Sequence, residues 1–449
     1  MKLTFHGGAQ VVTGACYLLE TKEAKILVDC GLFQGRREWR RLNYEDFPFD
    51  PAEIDFVLLT HSHMDHIGRV PKLVKDGFKG KIITTNPSRD FSHLFLLDSA
   101  HLQEEEAREV GREPLYDEAD VEVSQKYFEG VDYGGKIELT GGVKCRFTDA
   151  GHILGSAIIE IWADGKKIVF TGDLGNPPVP LLKATELVDR ADYVIIESAY
   201  GDRNHETFEE RKNLLEDAIE EVVANKGVLM IPAFAMERTQ EVLYELNELV
   251  EKSRVPKIPI FVDSPLAIKA TAVYRNYENY FNQEATHLIE SGDDIFKFPG
   301  LEMTVSGQES RKINNIPKPK IIIAGSGMST GGRILFHEKL YLPDPSSKLL
   351  IVGYQVKGTL GRKLLEGVKE VMIMGEKVSV KAKVQAVGGY SAHADQQKLI
   401  RWLDHLKRPV QQIFVVQGED GPAHTLAQKI NDELGMKATV PKLGESVEL

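Results

Sequence analysis

Thr60-His61-Ser62-His63-Met64-Asp65-His66-Ile67-Gly68 sets three imidazoles and a carboxylate within six consecutive positions. These are the donors a borderline cation such as zinc prefers, and a group this dense can serve two ions. The run follows Phe56-Val57-Leu58-Leu59, so it opens where an apolar strand ends. Alternate side chains of an extended segment share a face. On that period His61, His63 and Asp65 point together and His66 turns away. With 13 histidines in 449 residues, a chance H-x-H-x-D-H is expected about 10⁻³ times per chain, which leaves a polar loop of satisfied histidines a weak competitor.

Four further residues gain meaning from that run. Asp29 ends Ile26-Leu27-Val28, and Asp173 ends Val169-Phe170-Thr171-Gly172. His152 lies in Asp149-Ala150-Gly151-His152-Ile153-Leu154-Gly155-Ser156, and His424 in Gly418-Glu419-Asp420-Gly421-Pro422-Ala423-His424. Singly, each reads as a turn residue or a satisfied histidine. Together they sit at strand ends and Gly-rich turns, where a sheet offers side chains to a common site. Asp173, with two carboxylate oxygens, is the best placed to bridge two ions.

The elements that must position them are short strands over the first 200 residues: Lys25–Asp29, Phe56–Thr60, Lys81–Thr85, Lys144–Thr148, Ala157–Trp162, Lys167–Thr171 and Tyr193–Glu197. The acidic excursion His101–Asp132, net −8, reads as a solvated helical face. From Glu206 the rhythm becomes helical, with Phe208, Leu215, Ile219 and Val222 in phase. Strands at Val228–Ile231, Ile260–Asp263, Lys320–Ala324 and Lys348–Gly353 then alternate with helices near Glu237–Glu251, Ala267–Phe281, from Gly332 and after Thr359. That alternation predicts a parallel sheet covered by helices. Beyond Gly388-Gly389 come a helix Asp395–Leu406, a strand Gln412–Gln417 and a helix Thr425–Leu434.

D-x-G at Asp29, H-x-H-x-D-H, a later Gly-His and a later Gly-Asp resemble the four motifs of the metallo-β-lactamase fold, an αββα sandwich with a dinuclear zinc site. Glu197-Ser198-Ala199-Tyr200-Gly201-Asp202 resembles motif A of the β-CASP nucleases of that fold, Tyr390-Ser391-Ala392-His393-Ala394-Asp395 resembles motif B, and His424 resembles motif C. The resemblance spans the whole chain and is nearest to the endonuclease subunit of the cleavage and polyadenylation specificity factor and its short prokaryotic relatives. It implies an α/β chain with a metallo-β-lactamase domain at 1–204 and 388–449, interrupted by a Rossmann-like parallel α/β β-CASP domain at 205–387. With no extension flanking these two domains, the N-terminal RNA-binding domains of some archaeal relatives and the long C-terminal extensions of other members are expected to be absent.

Carried over residue by residue, the resemblance gives one zinc to His61, His63, His152 and Asp173, and a second to Asp65, His66, Asp173 and His424. Asp29 would orient a ligand histidine from behind. His393 would be the general acid, with Glu197 holding its imidazole charged. Two zinc ions generate a nucleophile at neutral pH and stabilise charge on phosphate oxygens during in-line attack. Asp65 and Asp173 are thus counted with His393 and Glu197 as catalytic. In the family, a His at motif C marks RNA processing, so the expected activity is a zinc-dependent ribonuclease, endonucleolytic or 5′-exonucleolytic, acting on single-stranded RNA in a cleft between the domains. A hydrolase of small thioesters or lactams shares the first four motifs but needs neither Glu197 nor His393. A silent RNA-binding scaffold is disfavoured because every expected ligand position is filled.

Gly-rich turns after three parallel strands suggest phosphate contacts through backbone N–H groups. They are Ala324–Arg333 (Ser326, Gly327, Ser329, Arg333), Gly353–Arg362 (Thr359, Arg362) and Pro232–Arg238 (Arg238). Ser391 joins them through motif B. The net charge of −12 excludes a generally basic RNA binder. Ser310–Leu340 carries net +5, however, and Tyr354–Lys383 net +4, so a local field could still hold RNA. Three cysteines without a close pair, no signal-like N-terminus and no long apolar run point to a reducing compartment, a cytoplasmic protein and no membrane span.

Overall fold

The structure, a computed structural model of the chain, describes all residues except Glu206, Thr207, Tyr354, Gly388, Gly389 and Arg408, and the side chains of Glu109, Val110, Phe208 and Glu209. Expectations resting on Glu206, the Phe208 side chain, Tyr354 and Gly388-Gly389 therefore lie outside the described residues. The chain divides into two compact units. One comprises Met1–Pro177, Ala184–Asn204 and His393–Leu449, and the other Pro178–Lys183 and His205–Ala392.

The first unit holds two seven-stranded sheets. In the first sheet the lateral order is Ser446–Glu448, Lys2–Gly7, Cys16–Glu20, Lys25–Val28, Phe56–Leu58, Lys81–Thr85 and Phe128–Val131, and the last four strands are parallel. In the second the order is Ala438–Thr439, Gln412–Val415, Tyr193–Ile196, Lys166–Phe170, Ala157–Ala163, Val143–Asp149 and Lys136–Thr140. A single apolar core joins their inner faces, with Leu3, Phe5, Tyr17, Ile26, Val28 and Leu58 meeting Phe147, Ile159, Ile161, Phe170, Ile195 and Phe414. Helices Val70–Lys75, Asn86–Val110 and Glu118–Gln125 bury their apolar faces on the outside of the first sheet. Gln396–Asp404 and Asp420–Lys429 do so on the second. The result is an αββα sandwich.

Two local readings change. The acidic excursion is not one helical face. The helix Asn86–Val110 begins well before His101, capped by Thr85, and it is followed by Glu118–Gln125 and the strand Phe128–Val131. The last helix begins at Asp420 rather than Thr425, because Pro422 falls in its first turn, where its missing N–H costs nothing.

The second unit carries a six-stranded, wholly parallel sheet in the order Leu301–Met303, Ile260–Val262, Lys320–Ala324, Val228–Pro232, Lys348–Ile351, Lys383–Ala386. Ranked along the chain this is 3-2-4-1-5-6, whereas the dinucleotide-binding order is 3-2-1-4-5-6, so strands one and four are exchanged. Hydrophobic period reveals strands and helices but not lateral order, which depends on how each crossover packs. The order in which strands are added, not their direction, reverses between Val228–Pro232 and Lys320–Ala324. Their C-terminal turns are the Pro232–Arg238 and Ala324–Arg333 segments. No helix among the described residues is long and apolar enough to cross a membrane.

Candidate metal centre and its acid–base pair

Four residues of the centre follow the same end of a strand. Lys25–Val28 ends at Asp29, Val143–Asp149 precedes His152, Lys166–Phe170 precedes Asp173 and Tyr193–Ile196 ends at Glu197. Phe56–Leu58 leads into an irregular segment and then a helical turn, Met64–Ile67, with His63 as its cap residue. That turn overrides the alternating pattern. It brings the His66 ring to 3.9 Å from the His61 ring instead of sending it away. Gly31 makes the turn possible, since a Cβ there would lie 1.6 Å from the Asp65 carbonyl oxygen. Gly172 holds φ +52 against Thr60, which places Asp173 beside His61.

Four donors converge. His61 Nε2 lies 3.1 Å and His152 Nε2 3.2 Å from His63 Nδ1, and Asp173 Oδ2 lies 3.4 Å from both Nε2 atoms. All four ligand atoms fall within 4.8 Å of one another. Burial lowers the pKa of each of these histidines, so their nitrogens face one another as neutral imidazoles. His152 Nδ1 has no hydrogen-bond partner among the described residues. Lone pairs crowded together out of water are satisfied by a cation, and three imidazoles with one carboxylate suit zinc. Asp173 resists protonation. Burial works against its charge, but His66, His393 and His61 together hold its pKa well below the ordinary value.

Behind the donors, Asp29 Oδ2 accepts from His66 Nδ1 and from Thr60 Oγ1, each at 2.8 Å, while Oδ1 accepts from Thr60 N. This pins the His66 tautomer and aims its Nε2 forward. Asp29 does so from a backbone at φ 59. Beyond His66 the structure departs from expectation. His424 stands on the exposed side of Asp420–Lys429, its side chain 59% exposed and 3.4 Å from Asp420 Oδ1. The helix that begins at Asp420 carries His424 out of reach. Gln417 takes the inward position instead, with Nε2 2.9 Å from His66 Nε2 and 2.8 Å from Asp173 Oδ1. Gln417 was legible as the polar residue ending Phe414-Val415-Val416, in the manner of Asp29, but it is not a customary zinc ligand. Asp65 belongs to neither group of donors that closes within 4.8 Å among the described residues, and burial raises its carboxyl pKa.

The second converging group is Asp173, Glu197 and His393. His393 Nδ1 meets Glu197 Oε2 at 3.0 Å, and Glu197 Oε1 accepts from Leu174 N at 2.6 Å. Burial opposes charge on the imidazole, but the Glu197 and Asp173 carboxylates outweigh it and raise the His393 pKa to about 9. The His393 ring lies 4.6 Å from that of His152. A charged N–H therefore stands beside the metal donors.

Most of the expected phosphate contacts are engaged elsewhere. Arg333 gives Nη1 to Asp263 Oδ1 and Thr304 O, and Nη2 to Val305 O. Arg238 is buried against Glu241, and Ser329 is buried with its hydroxyl on Glu338. Arg362 pairs with Glu366, and Thr359 caps the helix Leu360–Leu365. Gly327 lies under the Phe234 ring, and Ser391 is buried. Ser326 Oγ, at 3.1 Å from Thr330 Oγ1, stays near the surface. The local positive charge is likewise offset, because Lys318, Lys339, Lys377 and Lys383 pair with Asp344, Glu376, Glu370 and Glu221, and Lys320 is buried.

A sandwich with four metal donors at its strand ends defines a metal-dependent hydrolase of the metallo-β-lactamase type. Family models match in three segments: metallo-beta-lactamase superfamily at 9–232, Beta-Casp domain at 239–364, and Zn-dependent metallo-hydrolase RNA specificity domain at 377–441. The chain belongs to the β-CASP branch of the metallo-β-lactamase superfamily. It is 36% identical to a ribonuclease of Thermus thermophilus over 100% of both chains. It is 35% identical to an RNase J-like protein of Methanocaldococcus jannaschii over 98% of each. A transcription termination factor of Methanosarcina mazei is 32% identical over all of this chain and 72% of its own length. The fold also matches a crystal structure of a protein of unknown function from Enterococcus faecalis V583, with TM-score 0.57 and 12% identity over 100% of this chain and 99% of that one.

Proposed function

We propose that this chain is a zinc-dependent ribonuclease that hydrolyses phosphodiester bonds of single-stranded RNA in the cytoplasm, endonucleolytically, 5′-exonucleolytically or both. The observation that carries the reading is the sharing of Asp173 between the metal donors and the His393–Glu197 pair. The names of the similar proteins and of the RNA specificity domain support RNA as the substrate.

His61, His63, His152 and Asp173 would hold zinc, which when bound supplies a nucleophile at neutral pH and Lewis-acid stabilisation of phosphate oxygens. His393, kept charged by Glu197, donates its proton to the leaving ribose oxygen. Glu197 keeps the ring oriented through Oε2 while its other oxygen is anchored by Leu174 N. The Ser326–Thr330 turn, where the second unit's strand order reverses, would take a backbone phosphate. The two-metal expectation needs a donor at the corner where Gln417 stands.

Incubation with end-labelled and circular RNA tests the reading. Cleavage that chelation abolishes and zinc restores is expected, and opening of the circle assigns endonuclease activity. His393→Ala should retain zinc and lose about 10²–10⁴-fold in rate. Zinc loss in that variant, or an inert wild-type protein with zinc bound, overturns the assignment.

A further inference from the structure

We infer that Gln417 closes the second metal position, so that this centre holds one zinc ion firmly and a second only weakly. The inference rests on the zinc reading of the His61, His63, His152 and Asp173 group.

The corner that a second ion would occupy is bounded by His66 Nε2 and Asp173 Oδ1, which are 3.4 Å apart. The Gln417 amide nitrogen touches both, at 2.9 and 2.8 Å. Asp29 Oδ2 holds His66 Nδ1 at 2.8 Å, which aims Nε2 at this corner. The amide nitrogen donates to Asp173 Oδ1 and packs on His66 Nε2, filling the space between the two atoms that a cation would take. The orientation is set by charge, because the amide oxygen turned toward Asp173 would meet a carboxylate oxygen at hydrogen-bond distance. The placement is also built into the backbone. Gln417 is 3% exposed, holds φ 50, and anchors its own N–H on Gly8 O at 2.6 Å.

Admitting a second ion requires the amide to swing away and surrender both contacts. What it could then offer is a neutral carbonyl oxygen, a poorer zinc donor than imidazole. No replacement comes from the same segment, since His424 is exposed beside Asp420. Only Asp65, His66 and Asp173 remain, against four donors at the first position.

Metal content, read without RNA, tests this independently of nuclease activity. Zinc-loaded wild-type protein passed through a desalting column should keep one zinc per chain by elemental analysis. Competition with a chromophoric chelator should place a second ion roughly 100-fold weaker or more. Gln417→His and the near-isosteric Gln417→Glu should both raise the retained count to two. Two tightly held zinc ions in the wild type, or no gain in either variant with an unchanged circular dichroism spectrum, would overturn the inference. No bound zinc at all would overturn it together with the zinc reading of the first position. Retention of one zinc without RNA cleavage supports it and counts against the ribonuclease reading alone.

Discussion

The Nδ1 atom of His393 lies 3.0 Å from the Glu197 carboxylate, and that one contact couples the strand end at Ile196 to the chain's return into the first unit. Its electrostatic consequence is a histidine whose pKa is raised to about 9, so it is protonated throughout the neutral range. Because the folded value lies above the ordinary 6.5, the stability contributed by protonating His393 is fully present just below about 6.5 and fades as pH rises through about 9. Glu197→Gln keeps the shape and removes the charge. The alkaline limb of the kcat profile should then move down by about 1–2 pH units. An unshifted limb would separate the acid role from His393.

Metal removal should be felt as stability as well as activity. The buried His61 and His152, the part-buried His63 and Asp173 have their donor atoms turned toward one another. An ion bound only to the folded state stabilises it, by about 4 kcal/mol when free zinc exceeds its Kd a thousandfold. Chelation should lower the Tm of the wild type and leave that of His63→Ala unchanged. Equal Tm values with and without chelator in the wild type would argue against a metal at this position.

Glu338 offers a pH-dependent test away from the centre. Burial raises its carboxyl pKa to about 7 despite the Ser329 hydroxyl on Oε1, and Oε2 has no partner among the described residues. A carboxyl raised in the folded state stabilises fully below its unfolded value of 4.5. That contribution is lost as pH rises through about 7. Glu338→Gln should therefore be near neutral at pH 4.5 and stabilising by roughly 2–3 kcal/mol at pH 8. Thermal melts at the two pH values check the difference, and a pH-independent effect would rule out the titration.

Arg333 should behave as a structural tether. Asp263 is fully buried and accepts from Thr304, Ser310, Arg333 and His337 at 2.6–2.7 Å, so its pKa is depressed despite burial. Arg333→Ala leaves that carboxylate short of its cation and should cost about 2–4 kcal/mol by denaturant titration. Arg333→Lys should recover only part, because the guanidinium also serves the Thr304 and Val305 carbonyls. The salt slope of RNA binding should be the same in folded Arg333→Ala as in wild type. A slope reduced by about one would return Arg333 to phosphate contact.

Local density of donors made the metal-binding run legible in one dimension, because H-x-H-x-D-H leaves little room for another explanation. Strand-end polar residues such as Asp29, Asp173 and Glu197 were legible too, since an apolar β-branched run that stops at an acid marks the rim of a sheet. The alternating strands and helices of the second unit announced a parallel sheet. What sequence could not determine was lateral and long-range. The exchange of two strands in that sheet depends on crossover packing. The fate of Arg333 and Lys320 depends on partners up to 70 residues away. The choice between Gln417 and His424 depends on where one helix begins. Both are polar residues after the same strand. A proline in the first helical turn sends His424 to the surface, and a left-handed backbone at Gln417 turns its amide inward. The sequence by itself therefore pointed to the family of chemistry and to seven expected metal donors, of which His61, His63, His152 and Asp173 converge. Only the tertiary structure decided what faces the corner between His66 and Asp173, because that depends on the left-handed backbone at Gln417 and on which long-range contacts hold it there.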